Sequence, residues 1–334
     1  MRGTRHAAGS KLPGLFLCLV IALVAYAFGR IVPLVGGPVF GIVIGMLVSL
    51  LWKPATAFSP GVKYASKQLL QLSIIVLGAN LSLQQIVGSG MRSLPVMLGT
   101  LAITLAVAYV VGRMLGLDTN LRRLLGVGTA ICGGSAIAAL STVVEASEAE
   151  IAYGISTIFF FNIVAVLTFP PIGHLLMLSQ QAFGLWAGTA INDASSVVAA
   201  GWVYGHAAAN EAVIVKLTRT TLIVPIVIFY AAKTIAALRT TRGVIDWKAI
   251  TPWFILWFLF AALLNTFGVI PAVAHPGLTQ LALFLIVLAL SGVGLSADFA
   301  KMRAAGLRPL ALGFVLWVTI AASSLLIAHV AQAG

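Results

Sequence analysis

Charge is what this sequence has least of. Only 8% of its 334 residues are Asp, Glu, Lys or Arg, while 60% are hydrophobic. Soluble domains carry about 25% charge, so the composition excludes an ordinary soluble enzyme and describes a membrane protein. Acid is the scarcer sign, with 8 Asp and Glu against 20 Lys and Arg and a formal net charge of +12. In a soluble chain that excess would suggest nucleic acid. Here the basic residues sit mostly in short loops between apolar runs and report topology, so no nucleic-acid partner is expected. Cysteine is nearly absent. Cys18 and Cys132 both lie in apolar runs, which excludes a disulfide framework or a metal-ligand spacing. The five histidines are scattered near run ends in no metal-ligand pattern. There is no Walker sequence and no His-Glu-x-x-His, so neither ATP hydrolysis by this chain nor zinc peptidase chemistry is expected, and no cofactor.

What is present is a series of apolar runs, each near the roughly 20 residues that cross a bilayer. They fall at roughly 13–32, 36–52, 67–87, 94–116, 121–144, 149–170, 182–204, 209–236, 250–268, 277–297 and 308–330. Arg2 to Lys11 and the following run have the form of a signal peptide, with Ala25-Tyr26-Ala27 resembling a cleavage site. The run continues to about Val32 and another follows at once, so a retained first helix is expected. The loops are too short to divide domains, so residues 1–334 read as a single membrane transport domain with residues 1–12 as a cytoplasmic tail. The segment from Pro170-Pro171 to Gln181 reads either as a kinked helix end or as a short re-entrant piece. With the N-terminus inside, sixteen of the twenty Lys and Arg fall on the inner side, and only Arg30 and Arg92 on the outer. That bias predicts eleven spans, a cytoplasmic N-terminus and a periplasmic C-terminus, with Glu145–Glu150 in an outer loop.

Two internal echoes stand out. Gly128 to Ala139 matches Gly188 to Ala199 at six of twelve positions, with Asn192 and Asp193 where the first copy has Cys132 and Gly133. Adjacent glycines and a serine suit a helix interior poorly. The echo predicts two transmembrane helices broken at mid-depth, their freed backbone groups lining a polar site. Close helix packing at small residues is the plainer alternative, and Asn-Asp inside a span is costly for packing alone. The second echo aligns Gly78–Gly99 on Gly292–Gly313, in runs of opposite direction, as an inverted repeat requires. The first echo falls in runs that come out parallel. A re-entrant segment that flips one of them and a local convergence on small residues both stay open.

Two cations remain inside the membrane. Lys216 and Arg219 are three apart on one helical face, and Asp193 is the acid nearest the middle of a run. An ion pair of Asp193 with Lys216 or Arg219 would lock two helices, and Lys216 could also snorkel outward. A positive pocket for a small anion is the sharper reading. One acid against two cations leaves positive charge, and helix N-termini at the breaks would add free N–H donors. Arg219 could grip an oxoanion through two parallel bonds, with Lys216 as a point charge. Thr129, Ser135, Thr189, Asn192, Ser195 and Ser196 could add neutral hydrogen bonds, with Cys132, Gly133 and Gly134 at the first break. Asn162 reads as a helix–helix hydrogen bond rather than a ligand contact.

Ala130-Ile131-Cys132-Gly133-Gly134-Ser135-Ala136, Gly184-Leu185-Trp186-Ala187-Gly188 with Ile191-Asn192-Asp193, and Val215-Lys216-Leu217-Thr218-Arg219 together resemble the YeiH-type family of bacterial membrane proteins, to which sulfate export is attributed. The resemblance runs through nearly the whole chain. It implies an all-α polytopic protein of the bacterial inner membrane, in the broad group of the NhaA antiporter and bile-acid symporter folds. Those folds have inverted repeats and two broken helices crossing near the bilayer midplane. One departure is Asn192, where histidine is expected in many relatives. Residues and resemblance together predict a secondary transporter, not an enzyme, for a small inorganic or organic anion such as sulfate, sulfite or a sulfonate. Membrane lipid is its surroundings. A coupling ion (proton or sodium) and self-association stay open, and a passive anion channel or an intramembrane enzyme is the alternative.

Overall fold

The computed structural model describes residues 10–31, 36–52, 56–238, 253–297 and 306–333. The tail 1–9 and Arg2, Arg5, Lys53, Arg239, Arg242, Lys248, Lys301 and Arg303 of the inner-side count lie outside the described residues. Among the described residues every regular element is helical. In chain order these are α1 (Leu12–Ile31), α2 (Gly36–Leu51), α3 (Ser59–Tyr64), α4 (Leu70–Gly78), α5 (Leu83–Met114), α6 (Thr119–Ala130) and α7 (Gly134–Val143). Then follow α8 (Glu148–Leu175), α9 (Gln180–Ala190), α10 (Ala194–Tyr204), α11 (His206–Thr221), α12 (Ile223–Leu238), α13 (Trp253–Thr266), α14 (His275–Leu295) and α15 (Leu307–Ala333). A π-helical turn, Ala65–Leu69, joins α3 to α4.

Six helices are long and apolar enough to cross a bilayer: Leu12–Ile31, Leu83–Met114, Glu148–Leu175, His206–Tyr230, Ala272–Leu295 and Leu307–Val330. Four apolar helices are shorter: Gly36–Leu51, Gly134–Val143, Ala194–Tyr204 and Trp253–Thr266. The chain is thus a multi-pass, all-helical membrane protein. Capping chemistry sets several starts. Helix α5 begins at Leu83, well before the apolar run expected from 94, because Ser82 and Gln85 close a reciprocal capping box. Ser147 and Glu150 do the same for α8. That helix continues through Pro170-Pro171 to Leu175, so this stretch is a helix end and not a re-entrant piece. Pro170 is buried against neighbouring helices, which lets a membrane helix tolerate proline.

The two echoed stretches fold differently from the expected broken spans. In each, the chain turns back at the break instead of continuing. At the first, Asn120 at the start of α6 donates from Nδ2 to the Val144 carbonyl just past α7, at 3.1 Å. Two collinear arms would hold those residues more than 30 Å apart, at about 1.5 Å per residue. At the second, Tyr204 at the end of α10 donates its hydroxyl to the Leu178 carbonyl at 2.5 Å and stacks on Phe183 at the start of α9. Both stretches are therefore helical hairpins, α6–α7 and α9–α10, with tips at Ile131–Gly133 and Ile191–Asp193. One consequence corrects the loop reading. Glu145–Glu150 returns to the end of the molecule that holds Asp118–Asn120, beside Arg122 and Arg123, and is not on the opposite side.

Glycine contacts give the directions. A Cβ on Gly154 would lie 3.7 Å from Leu124, and one on Gly128 would overlap Ile158, so α6 and α8 run parallel. Helix α8 is antiparallel to α9, with Phe169 stacked on Trp186 at 4.2 Å and Gly173 against Phe183. The first arms α6 and α9 therefore point at each other. Helix α11 runs parallel to α9: Gly184 faces Ala208 and Glu211, and Gly188 faces Ala212 and Val215. A Cβ on Gly188 would lie 2.7 Å from that of Val215, so this Gly-x-x-x-Gly pair lets two backbones meet. Elsewhere α5 lies antiparallel to α15, with Gly99 against Ile327 and Gly112 against Leu312. Helix α4 lies antiparallel to α14, where His275 meets Asn80 and Gly292 meets Ala65.

Candidate functional site: two hairpin tips on two buried cations

An α-helix leaves its last carbonyls without partners. Here two C-terminal ends, of α6 and α9, point into the protein interior, where orphaned carbonyls are costly. Two side chains of α11 answer them. Because α11 runs parallel to α9, its third and fourth turns carry Lys216 and Arg219 to the point where α9 ends. Arg219 is fully buried and Lys216 is 1% exposed. The Arg219 Nε donates to the Ala130 carbonyl at 2.7 Å, Nη2 to Thr129 at 3.0 Å, and Nη1 to Thr189 across the junction. Lys216 Nζ donates to Ile131 at 2.8 Å and to Ile191 at 2.9 Å. Each cation thus spans both arms, and together they hold five backbone carbonyls. Positive charge at a helix C-terminus opposes the negative end of its dipole, so each cation is compensated without an acidic partner.

The tips themselves touch. A Cβ on Gly133 would meet the Asn192 backbone at 3.7 Å. Gly133 has φ +67° and ψ −126°, which only glycine adopts without strain. Its counterpart Asp193 has an extended backbone and instead caps α10. Its Oδ2 accepts from the Ser196 amide at 3.3 Å and from the Ser195 hydroxyl, while Oδ1 is buried without a partner. Asp193 makes no hydrogen bond to Lys216 or Arg219, so the alternative of an ion pair locking two helices is not the arrangement formed. Asn162 of α8 accepts from the Asn192 amide at 3.2 Å, which ties α8 to the second tip. Asn192 is 1% exposed and its Oδ1 has no partner.

The expected site residues thus separate into groups. Cys132, Gly133, Gly134, Asn192 and Asp193 form the facing tips, and Ser195 and Ser196 follow at the start of α10. Thr129 and Thr189 enter through their carbonyls. The Thr189 hydroxyl bonds back to Leu185 and sideways to Ser324. Arg219 is not free to fork an oxoanion, since Nε, Nη1 and Nη2 all serve backbone. Open space lies at the start of α7. Beyond its own turn of helix, no atom lies within 4 Å of a Cβ built on Gly134, and Ser135, Ala138 and Thr142 form an exposed stripe of small and polar residues. One polar link was not anticipated. Ser89 donates to Glu211 Oε2 at 2.6 Å and accepts from Arg92 at 3.3 Å, joining α5 to α11. The sign available was Glu211 itself, inside an expected apolar run.

Known proteins place the chain. A family model described as conserved hypothetical protein 698 matches residues 13–313. A UPF0324 membrane protein of Streptococcus pyogenes serotype M18 is 43% identical over 326 residues, covering 94% of this chain and 96% of its own length. Another from Fusobacterium nucleatum subsp. nucleatum is 39% identical over 336 residues, covering 95% and 97%. One from Streptococcus mutans serotype c is 40% identical over 331 residues, covering 96% and 97%. The multi-pass helical chain with paired hairpins therefore belongs to the UPF0324 family of membrane proteins.

Proposed function

We propose that this chain is a secondary transporter of a small oxoanion such as sulfate, sulfite or a sulfonate, acting in the bacterial inner membrane by alternating access at the hairpin tips. The observation that carries the reading is the meeting of two oppositely directed hairpins on Lys216 and Arg219. Discontinuous helices with facing ends are the construction transporters use for ion and substrate sites. Charge supports an anion. Two cations and one carboxylate give +1, and the partial charges of about −0.5 at two C-termini and +0.5 at two N-termini cancel.

The anion contacts we assign are the first amides of α7 at Gly134 and Ser135, the Ser135 hydroxyl and the Asn192 amide group. Lys216 and Arg219 act through their field and by fixing the tips. The exposed stripe of α7 is the access route, and it supports a form open toward the end that carries Arg122 and Arg123. Asp193 is the carboxylate at the tips, and a coupling ion, proton or sodium, belongs to the reading there. The membrane arrangement we propose has nine crossings and two re-entrant hairpins, one from each side. A hairpin adds no net crossing, so the Lys/Arg bias still supports a cytoplasmic N-terminus and a periplasmic C-terminus. Both echoes then relate elements of opposite direction, which supports inverted symmetry. The likeness to YeiH-type exporters supports sulfur oxoanions and outward transport.

The test is counterflow of labelled sulfate into proteoliposomes of the purified chain. Saturable, competable counterflow is expected. Current without saturation would indicate a channel, and no flux of sulfate, sulfite or any sulfonate would reject the reading.

A further inference from the structure

A second basic site lies away from the tips, at the end of the molecule where α5 finishes and α6 begins. Arg122 and Arg123 sit in the second turn of α6 and line a cavity of about 170 Å³ with Tyr109, Thr119, Gly126 and Tyr230. The cavity is built rather than incidental. Gly112 of α5 leaves room for the Arg122 stem, since a Cβ there would lie 2.6 Å from Arg122 Cγ. Gly126 brings α6 against α5, where its Cβ would lie 2.7 Å from that of Ala108. Arg122 Nη2 donates to Thr119 Oγ1 at 2.8 Å, which orients the guanidinium. Its Nε and Nη1 are buried and have no partner. Nη1 lies on the Cδ side of the guanidinium and the Nε–H on the Nη2 side, so the two unpartnered donors face different edges of the fork, and Nη1 shares the terminal edge with Nη2. Arg122 also lies over the Tyr109 ring at 5.9 Å, and Arg123 over Tyr230 at 5.8 Å.

Buried guanidinium donors without partners are costly, and helix ends add to the demand. Helix α6 starts here, and Asp118 at its N-cap accepts no capping bond, which leaves the first amides open to an anion. Asp118 is exposed, and Glu145, Glu148 and Glu150 lie at the same end of the molecule, but none of the four lines the cavity. We propose that this cavity binds a phosphate group, with the unpartnered Nη1 of Arg122 donating to one of its oxygens and Arg123 as the second charge. Basic pockets between membrane helices, rimmed by tyrosine at headgroup depth, suit the phosphodiester of an anionic phospholipid. Free inorganic phosphate shares the chemistry and is the other source. The inference does not rest on the transport reading.

The test compares the full-length protein with Arg122→Lys, Arg123→Gln and the control Arg113→Gln, an exposed arginine outside the cavity. Thermal stability in detergent is followed against phosphatidylglycerol, phosphatidylcholine or inorganic phosphate, and retained lipid is counted by native mass spectrometry. Phosphatidylglycerol should raise the melting temperature of the parent and of Arg113→Gln, and phosphatidylcholine should not. Arg122→Lys keeps the charge but loses the planar guanidinium and its Nη1 donor, and its apparent affinity should fall roughly tenfold. An equal response to inorganic phosphate alone would assign the site to the free ion. The same phosphatidylglycerol response and lipid count in the parent and in both cavity variants would overturn the proposal.

Discussion

Arg219 holds three carbonyls from two helix ends, and Lys216 two more, so their first role is to keep the hairpin tips together. Arg219→Lys preserves charge but cannot reach all three oxygens. Each orphaned buried carbonyl costs about 1–3 kcal/mol, and a clear fall in melting temperature in detergent is expected even without ligand. An unchanged melting temperature would remove the capping role. Asp193 behaves differently because it contacts neither cation. Asp193→Ala should lose only a cap, about 0.5–2 kcal/mol, whereas stranding a buried cation would cost about 3–5 kcal/mol. The adjacent glycines separate strain from space. Gly133→Ala forces φ +67° with ψ −126° on a side chain, outside the left-handed helical well, at about 1–3 kcal/mol. Gly134→Val meets open space, so it should stay folded while blocking anion binding. Equal loss of stability in both would contradict this division. At this scale the sequence marked where two helices stop and which two cations lie inside, but not the partners of those cations. Buried Lys and Arg suggest anion ligands until the helix ends beside them are known.

The hairpins were half legible. Gly-Gly and Asn-Asp inside apolar runs mark where a helix must stop, but they carry no sign of the direction in which the chain leaves. The direction is set by contacts distant in sequence, such as Asn120 with Val144 and Tyr204 with Leu178. The turn-back also accounts for the echo that did not fit an inverted repeat, since α6 and α9 run oppositely. Accessibility tests the element directly. In a background with Cys18 and Cys132 replaced by serine, cysteines at Asp118 and Glu145 should react with a membrane-impermeant maleimide from the same side. Reaction from opposite sides would restore two spanning broken helices.

For the whole molecule, composition and run length made a multi-pass helical protein plain, because the bilayer leaves few other solutions. Span counting was less secure, since a run of 23 apolar residues fits one crossing or two half-crossings equally well. The Lys/Arg bias is unaffected by that ambiguity. Reporter fusions should therefore find the two termini on opposite sides, and termini on one side would refute the nine-crossing arrangement. The central claim is that an anion sits between the tips, reached along α7. Ser135 is exposed at that point, and Thr142 lies two turns further along the same stripe. The direct measurement is the maleimide labelling rate of Ser135→Cys and Thr142→Cys, each in the cysteine-free background, with and without sulfate, sulfite or a sulfonate. Saturable slowing at position 135 by at least one oxoanion, with little change at 142, is the predicted result. Labelling of Ser135→Cys at one rate whatever anion is present would contradict the account.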